Sequence, residues 1–143
     1  MINFRLIALI SGLFLTKLAL LMLIPAAVGF GEQREWSFIF LRSAAITFVI
    51  AMLLVRWSGD MRKQLNRLTM RVRDMFLLTN CVWLLVSAFA AMPLIFIPEV
   101  DYTDAFFETM SGITTTGSTV LSGLDTMDHS ILIWRSLLQW LGG

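Results

Sequence analysis

A chain of 143 residues that is 57% hydrophobic and only 15% charged, with a mean hydropathy of +0.78, is excluded from the ordinary soluble class, where roughly a quarter of residues are charged. The formal net charge of +1 excludes no partner, because in so apolar a chain the placement of charges matters more than their sum. One cysteine, Cys81, rules out an internal disulfide framework or a thiolate metal cluster, and the lone His129 leaves no histidine pair for a metalloprotease helix, so an enzyme is not expected.

In chain order, the first apolar run extends from Leu6 to about Phe30, preceded by Arg5 and closed by Gly29, Phe30 and Gly31. It exceeds the about 20 residues that a helix needs to cross a hydrocarbon core about 30 Å thick. It also exceeds the about 7 to 15 apolar residues of a secretory signal, so a leader cleaved near Ala26 and Ala27 is the weaker reading. A second run from Trp36 to about Trp57 sets a tryptophan at each end, where the amphipathic ring favours the headgroup boundary. Residues 1–58 are therefore expected to form a leading pair of transmembrane helices. Residues 59–74 follow as a basic loop. Between residues 56 and 73 stand Arg56, Arg62, Lys63, Arg67, Arg71 and Arg73, six of the eleven basic residues, against Asp60 alone, which assigns the loop to the cytoplasm. The third span covers 75–97, with Pro93 bending its last turn and Pro98 stopping it. Three spans from a cytoplasmic N-terminus give a consistent topology, with Glu32 to Glu35 and Glu99 to Asp104 outside.

Beyond Pro98 the pattern changes. Residues of about 102–112 predict a helix, with Asp101 or Thr103 as its cap and Gly112 as its stop, yet about ten residues rise only about 15 Å, half a bilayer. The Ser/Thr/Gly run after it cannot face lipid, where its backbone groups would lack partners, so the segment is expected to dip into the membrane and return as a pore helix with a re-entrant loop. An extended return leg from Ile113 to Ser118, at about 3.3 Å per residue, covers the depth that the half helix descended. Such a leg, residues 113–118, presents backbone carbonyls inside protein, and rings of carbonyls replace the water shell of a dehydrated cation. The candidate filter residues are Thr114, Thr115, Thr116, Gly117 and Ser118, with the carbonyls of Thr115, Thr116 and Gly117 as ion ligands. Aiming successive carbonyls at one axis needs dihedrals that alternate in hand, which Gly117 tolerates for want of a Cβ. The half helix also directs its C-terminal end, with about half a negative charge, toward the site. Thr119, beyond the narrow part, is expected to matter far less.

The stretch Phe106-Phe-Glu-Thr-Met-Ser-Gly-Ile-Thr-Thr-Thr-Gly-Ser-Thr-Val-Leu-Ser-Gly-Leu-Asp125, followed by Ile133-Trp-Arg-Ser-Leu-Leu-Gln-Trp-Leu-Gly-Gly143, resembles the first pore loop and following helix of the Trk-type potassium-uptake membrane subunits, within the Trk/Ktr/HKT superfamily. The motif resemblance covers about residues 99–143, while the two leading spans match by layout only, as an extra helix pair before the first repeat. It implies an all-α membrane protein of a bacterial inner membrane, in which four membrane-pore-membrane repeats surround one potassium pathway. Each repeat gives a filter strand with a central glycine, and Gly117 matches that glycine. Residues 75–143 then correspond to the first repeat, with the next helix starting near Ile131, and the chain resembles an N-terminal fragment not expected to conduct alone. The resemblance further implies potassium as the transported ion and no cofactor, possible symport, a homodimer, and a cytoplasmic nucleotide-binding regulatory subunit of the TrkA type. The basic loop offers a surface for that subunit or for membrane lipid, and no nucleic acid is implied. Two other classes remain. A cation channel of four copies, each bringing one loop, is weakened by the missing second glycine and aromatic of the Thr-Val-Gly-Tyr-Gly pattern. A non-transporting membrane scaffold is the blander reading.

Five charged or titratable residues need separate accounts. Lys17, near the middle of the first span, costs about 3 kcal/mol on insertion scales without a partner or wet cavity, and a packing or snorkelling role is expected. Arg42 lies close enough to the end of its span to snorkel. Glu108, on the half helix, needs a buried partner. Arg135 in the next helix is a candidate to brace the filter from behind, with Asp125 and Asp128 competing for it. His129 is expected to start or cap that helix.

Overall fold

The structure, a computed structural model, describes residues 4–31, 34–59 and 72–143, so most of the basic loop of residues 59–74 lies outside the described residues. The described chain is helical: α1 (Phe4–Leu21), α2 (Leu23–Gly29), α3 (Arg34–Trp57), α4 (Val72–Ala90), α5 (Tyr102–Ile113) and α6 (His129–Gly142), with 3-10 turns at Leu94–Phe96 and Leu124–Thr126. Three stretches are long and apolar enough to cross a bilayer: Phe4–Gly29, Glu35–Trp57 and Val72–Phe96. Large apolar side chains on them, including Phe38, Leu53, Phe76 and Leu84, point outward, which suits a hydrocarbon solvent.

Proline sets the local breaks. Pro25 has no N–H to offer the Leu21 carbonyl, and the rod is interrupted at Met22 before α2 resumes its direction. In the third stretch Pro93 has a larger effect than a bend. Regular helix ends at Ala90, seven residues short of the expected end at residue 97, and the chain tightens so that Leu94 donates to the Ala91 carbonyl at 2.9 Å. The indole N–H of Trp134 takes up the Ala90 carbonyl at 3.1 Å. The helix begins at Val72, ahead of the expected residue 75. After Pro98 the chain reverses through Glu99, whose φ is +65°.

Helices α1 and α2 pack along α3, α1 also along α4, and α2 against α6, while α5 sits between α4 and α6. Trp134 is fully buried at the centre, edge-on to Phe40 of α3 with ring centroids 5.9 Å apart, and so ties the leading helices to α6. Lys17 lies on the exposed side of α1 with its ammonium 5.7 Å from the Phe14 ring, Arg42 is exposed, and Cys81 is a half-buried free thiol. His129 opens α6, but the cap is Asp128, whose carboxylate accepts from the Ser130 N–H at 2.8 Å.

Candidate functional site

Helix α5 is short because little but its capping sequence and one buried face hold it. Asp101 occupies the N-cap position, although only its backbone carbonyl serves, accepting from Ala105 at 2.9 Å. Asp104 in the first turn complements the positive end of the helix dipole. The buried Thr109 hydroxyl donates to the Ser87 carbonyl of α4 at 2.9 Å, and Ala105, Ile113 and the small Gly112 face the core. Gly112 does not stop the helix as expected. It remains helical with Leu138 of α6 against it, and a Cβ there would lie 3.3 Å from the Leu138 Cβ. Closer still is Gly142, where an added Cβ would overlap the Ile113 carbonyl, so the end of α6 rests directly on the C-terminal end of α5.

The expected extended leg starts later than Ile113. The Thr114 N–H still donates to Met110 at 2.9 Å, and the Thr115 N–H to Gly112 at 3.0 Å, so residues 114 and 115 form a turn and the extended path begins at Thr116. Thr115 has φ +57° and Gly117 has φ +75°, while Thr116 between them has no positive φ, so the backbone alternates in hand over three residues. A β-branched residue in the left-handed region is unfavourable by itself, and the surrounding bonds hold it there. The Thr116 and Gly117 N–H groups both point at the Ser111 carbonyl, at 3.0 and 3.5 Å. These peptides are trans, so the carbonyls of Thr115 and Thr116, which share those peptide planes, point to the opposite side, away from α5. Residues 114 to 120 are exposed on that side, with the Thr114 and Thr116 hydroxyls 2.9 Å apart. No group of three His, Cys, Asp or Glu that could hold a metal occurs among the described residues, so the oxygens on offer to a cation here are carbonyls and hydroxyls.

Behind the loop, Glu108 is 3% exposed and fully engaged. One carboxylate oxygen accepts from Arg135 Nε at 2.6 Å, and the other accepts from the Thr119 hydroxyl at 2.9 Å and the Val120 N–H at 3.1 Å. Of the three carboxylates considered for Arg135, the structure pairs it with Glu108. The Thr119 hydroxyl in turn accepts from the Leu121 N–H at 3.1 Å. Thr119, expected to matter far less than Gly117, is therefore hydrogen-bonded to the same carboxylate as Arg135. Ser111 was missed altogether. Its carbonyl receives Thr116 and Gly117, and its hydroxyl donates to the Ser118 carbonyl at 2.7 Å. The available signal was spacing, since Glu108 and Ser111 are three residues apart and share one helix face.

Three apolar spans, a half-length helix and a pinned loop of alternating hand define an all-helical protein with three candidate membrane-spanning helices. A family model described as a cation transport protein, TrkH, matches residues 41–143, and the chain belongs to that family. It is 36% identical over 143 residues to the Trk system potassium uptake protein TrkH of Escherichia coli strain K12, covering 99% of this chain. It is also 36% identical over 127 residues to the Trk system potassium uptake protein TrkI of Halomonas elongata, covering 88% of this chain and 25% of that protein. The crystal structure of the potassium transporter TrkH from Vibrio parahaemolyticus superposes with a TM-score of 0.86 at 30% identity, covering 98% of this chain and 29% of that one. The chain spans about 29% of the length of the Escherichia coli relative. These relatives are named as transport proteins and not as enzymes.

Proposed function

We propose that this chain is the leading part of a potassium-uptake membrane subunit of an inner membrane and that residues 114–118 give the first of four filter segments around a potassium pathway. The observation that carries the reading is the alternation in hand at Thr115, Thr116 and Gly117, which turns carbonyls away from α5 on a loop otherwise tied to it. In this reading α5 is the pore helix, α4 to α6 form the first membrane-pore-membrane repeat, and the two spans built from α1 with α2 and from α3 are the extra pair before it. The carbonyls of Thr115, Thr116 and Gly117 take the place of the ion's water shell, helped by the negative end of α5. Glu108 and Arg135 support the filter from behind. A single strand offers a quarter of such a cage, so conduction belongs to the whole protein. The N-terminus and the basic loop of residues 59–74 are cytoplasmic, and that loop meets anionic lipid or a nucleotide-binding regulatory subunit. A homodimer of the full-length subunit and coupling to a second ion are inherited from the resemblance.

The test is Gly117→Ala in the full-length protein, expressed in cells without other potassium uptake. A Cβ in empty space meets nothing, so the penalty is confined to the left-handed φ, about 1 to 2 kcal/mol per strand. Growth at low potassium is expected to fail, or discrimination against sodium to drop, with membrane insertion retained. Unchanged growth and discrimination would remove the main support for the filter.

A further inference from the structure

The Ser118 carbonyl does not share the orientation of its neighbours. The Ser111 hydroxyl donates to it at 2.7 Å, the length of a strong O–H···O bond, and so turns it toward α5. Two residues earlier the situation is reversed, because the Thr116 and Gly117 N–H groups face α5 and their peptide partners, the Thr115 and Thr116 carbonyls, face away. Ser111 makes both sets of contacts, one through its carbonyl and the other through its hydroxyl, while 5% exposed. The backbone therefore switches sides between Thr116 and Ser118, and the group that fixes the far side of the switch is a single side-chain hydroxyl.

We propose that Ser111 is a positioning residue that sets where the ion-facing run of carbonyls ends, by withdrawing the Ser118 carbonyl from it. This rests on the filter reading and adds to it a residue that never touches the ion. Ser111→Ala releases the Ser118 peptide, which then rotates on a backbone flanked by Gly117, whose φ is already in the left-handed region that only glycine occupies freely. The oxygen run lengthens or loses its fixed end, so ions of different size are no longer separated by one geometry. Ser111→Thr keeps the hydroxyl and its donor.

The experiment uses the full-length protein in membranes and measures rubidium uptake with sodium as competitor, giving half-saturation and maximal rate, beside the melting temperature of each purified variant. Ser111→Ala is expected to change half-saturation or sodium discrimination by about fivefold, on the order of one hydrogen bond, with maximal rate and melting nearly kept, and Ser111→Thr to restore the parent values. If Ser111→Ala reaches the membrane poorly, Ser111→Cys, a much weaker donor of similar size, makes the same comparison. Parent-like discrimination in Ser111→Ala alongside a changed Gly117→Ala overturns the role of Ser111 and leaves the filter standing. Parent-like behaviour in both variants overturns the filter and this inference with it. Equal defects in Ser111→Ala and Ser111→Thr, each with a lowered melting temperature, reduce Ser111 to packing and overturn the proposal.

Discussion

The two halves of the molecule use the same polar residues in different ways. In α1 to α3 the hydroxyls of Thr16, Thr47 and Ser58 fold back onto carbonyls three or four residues earlier, those of Gly12, Ser43 and Val55. From Ser87 onward Thr114, Thr126 and Ser136 still fold back in this way, but three others reach between elements: Thr109 to Ser87, Ser111 to Ser118, Thr119 to Glu108. The difference follows from the backbone. A continuous helix satisfies its own N–H and C=O groups and can face lipid without help, whereas a short helix that ends in a loop leaves backbone groups that need partners from protein. Side chains take over the work of the missing helical bonds where the ladder stops.

Glu108→Ala should show the largest effect if the second half depends on that takeover. The substitution leaves the Arg135 guanidinium, the Thr119 hydroxyl and the Val120 N–H without their shared acceptor. Breaking one side of a buried pair costs about 3 to 5 kcal/mol, read as a lowered melting temperature of the purified protein in detergent. Glu108→Gln keeps an oxygen for Thr119 and Val120 and loses the charge, so it should fall between parent and Glu108→Ala. If Glu108→Ala melts like the parent, the loop holds itself and the contrast between the halves is wrong.

The same contrast explains what could be read from the sequence. The three spans were legible because hydropathy over twenty residues outweighs local detail, and the half-length of α5 followed from Asp101 and the polar run after Ile113. The helix end at Ala90 was not legible, since Pro93 was weighed as a kink while the Trp134 indole that donates to the freed Ala90 carbonyl lies 44 residues away in α6. Arg135 had three carboxylates in reach on the sequence, and only the docking of α6 on α5 through Gly112 and Gly142 selects Glu108. Thr115 is the extreme case. Its β-branched side chain argues against the left-handed φ it adopts, so propensity pointed away from the answer and tertiary bonds imposed it.

A smaller effect, from the docking itself, sharpens the comparison. Gly142→Ala brings a methyl group into the Ile113 carbonyl, a backbone atom that cannot swing aside as a side chain would. Displacing the end of α6 is expected to cost about 1 to 3 kcal/mol and to shift the turn at Thr114 and Thr115. Melting and the uptake half-saturation should therefore move together. A change in melting alone would mean that α6 supports the fold without setting the loop.

The smallest effect comes from one substitution made twice, Thr→Ala at position 16 and at position 109. Thr16 is half-buried, and its hydroxyl donates at 2.8 Å to the Gly12 carbonyl of its own helix, an acceptor the helical ladder also serves. Removing it gives up a redundant bond and gains the better helix former, so the change in stability should stay within about 0.5 kcal/mol. Thr109 is fully buried, and its hydroxyl, 3.1 Å from the Phe106 carbonyl of its own helix, makes its shorter contact across from α5 to the Ser87 carbonyl of α4 at 2.9 Å. Its loss removes an inter-helix bond and leaves a methyl-sized gap, together about 1 to 2 kcal/mol. The atoms deleted are identical, so the gap between the two melting shifts measures the crossing bond together with the packing around it. Equal shifts at both positions would show that local and crossing bonds carry the same weight in this protein, and that the polar residues of its second half are no more committed to structure than those of its first.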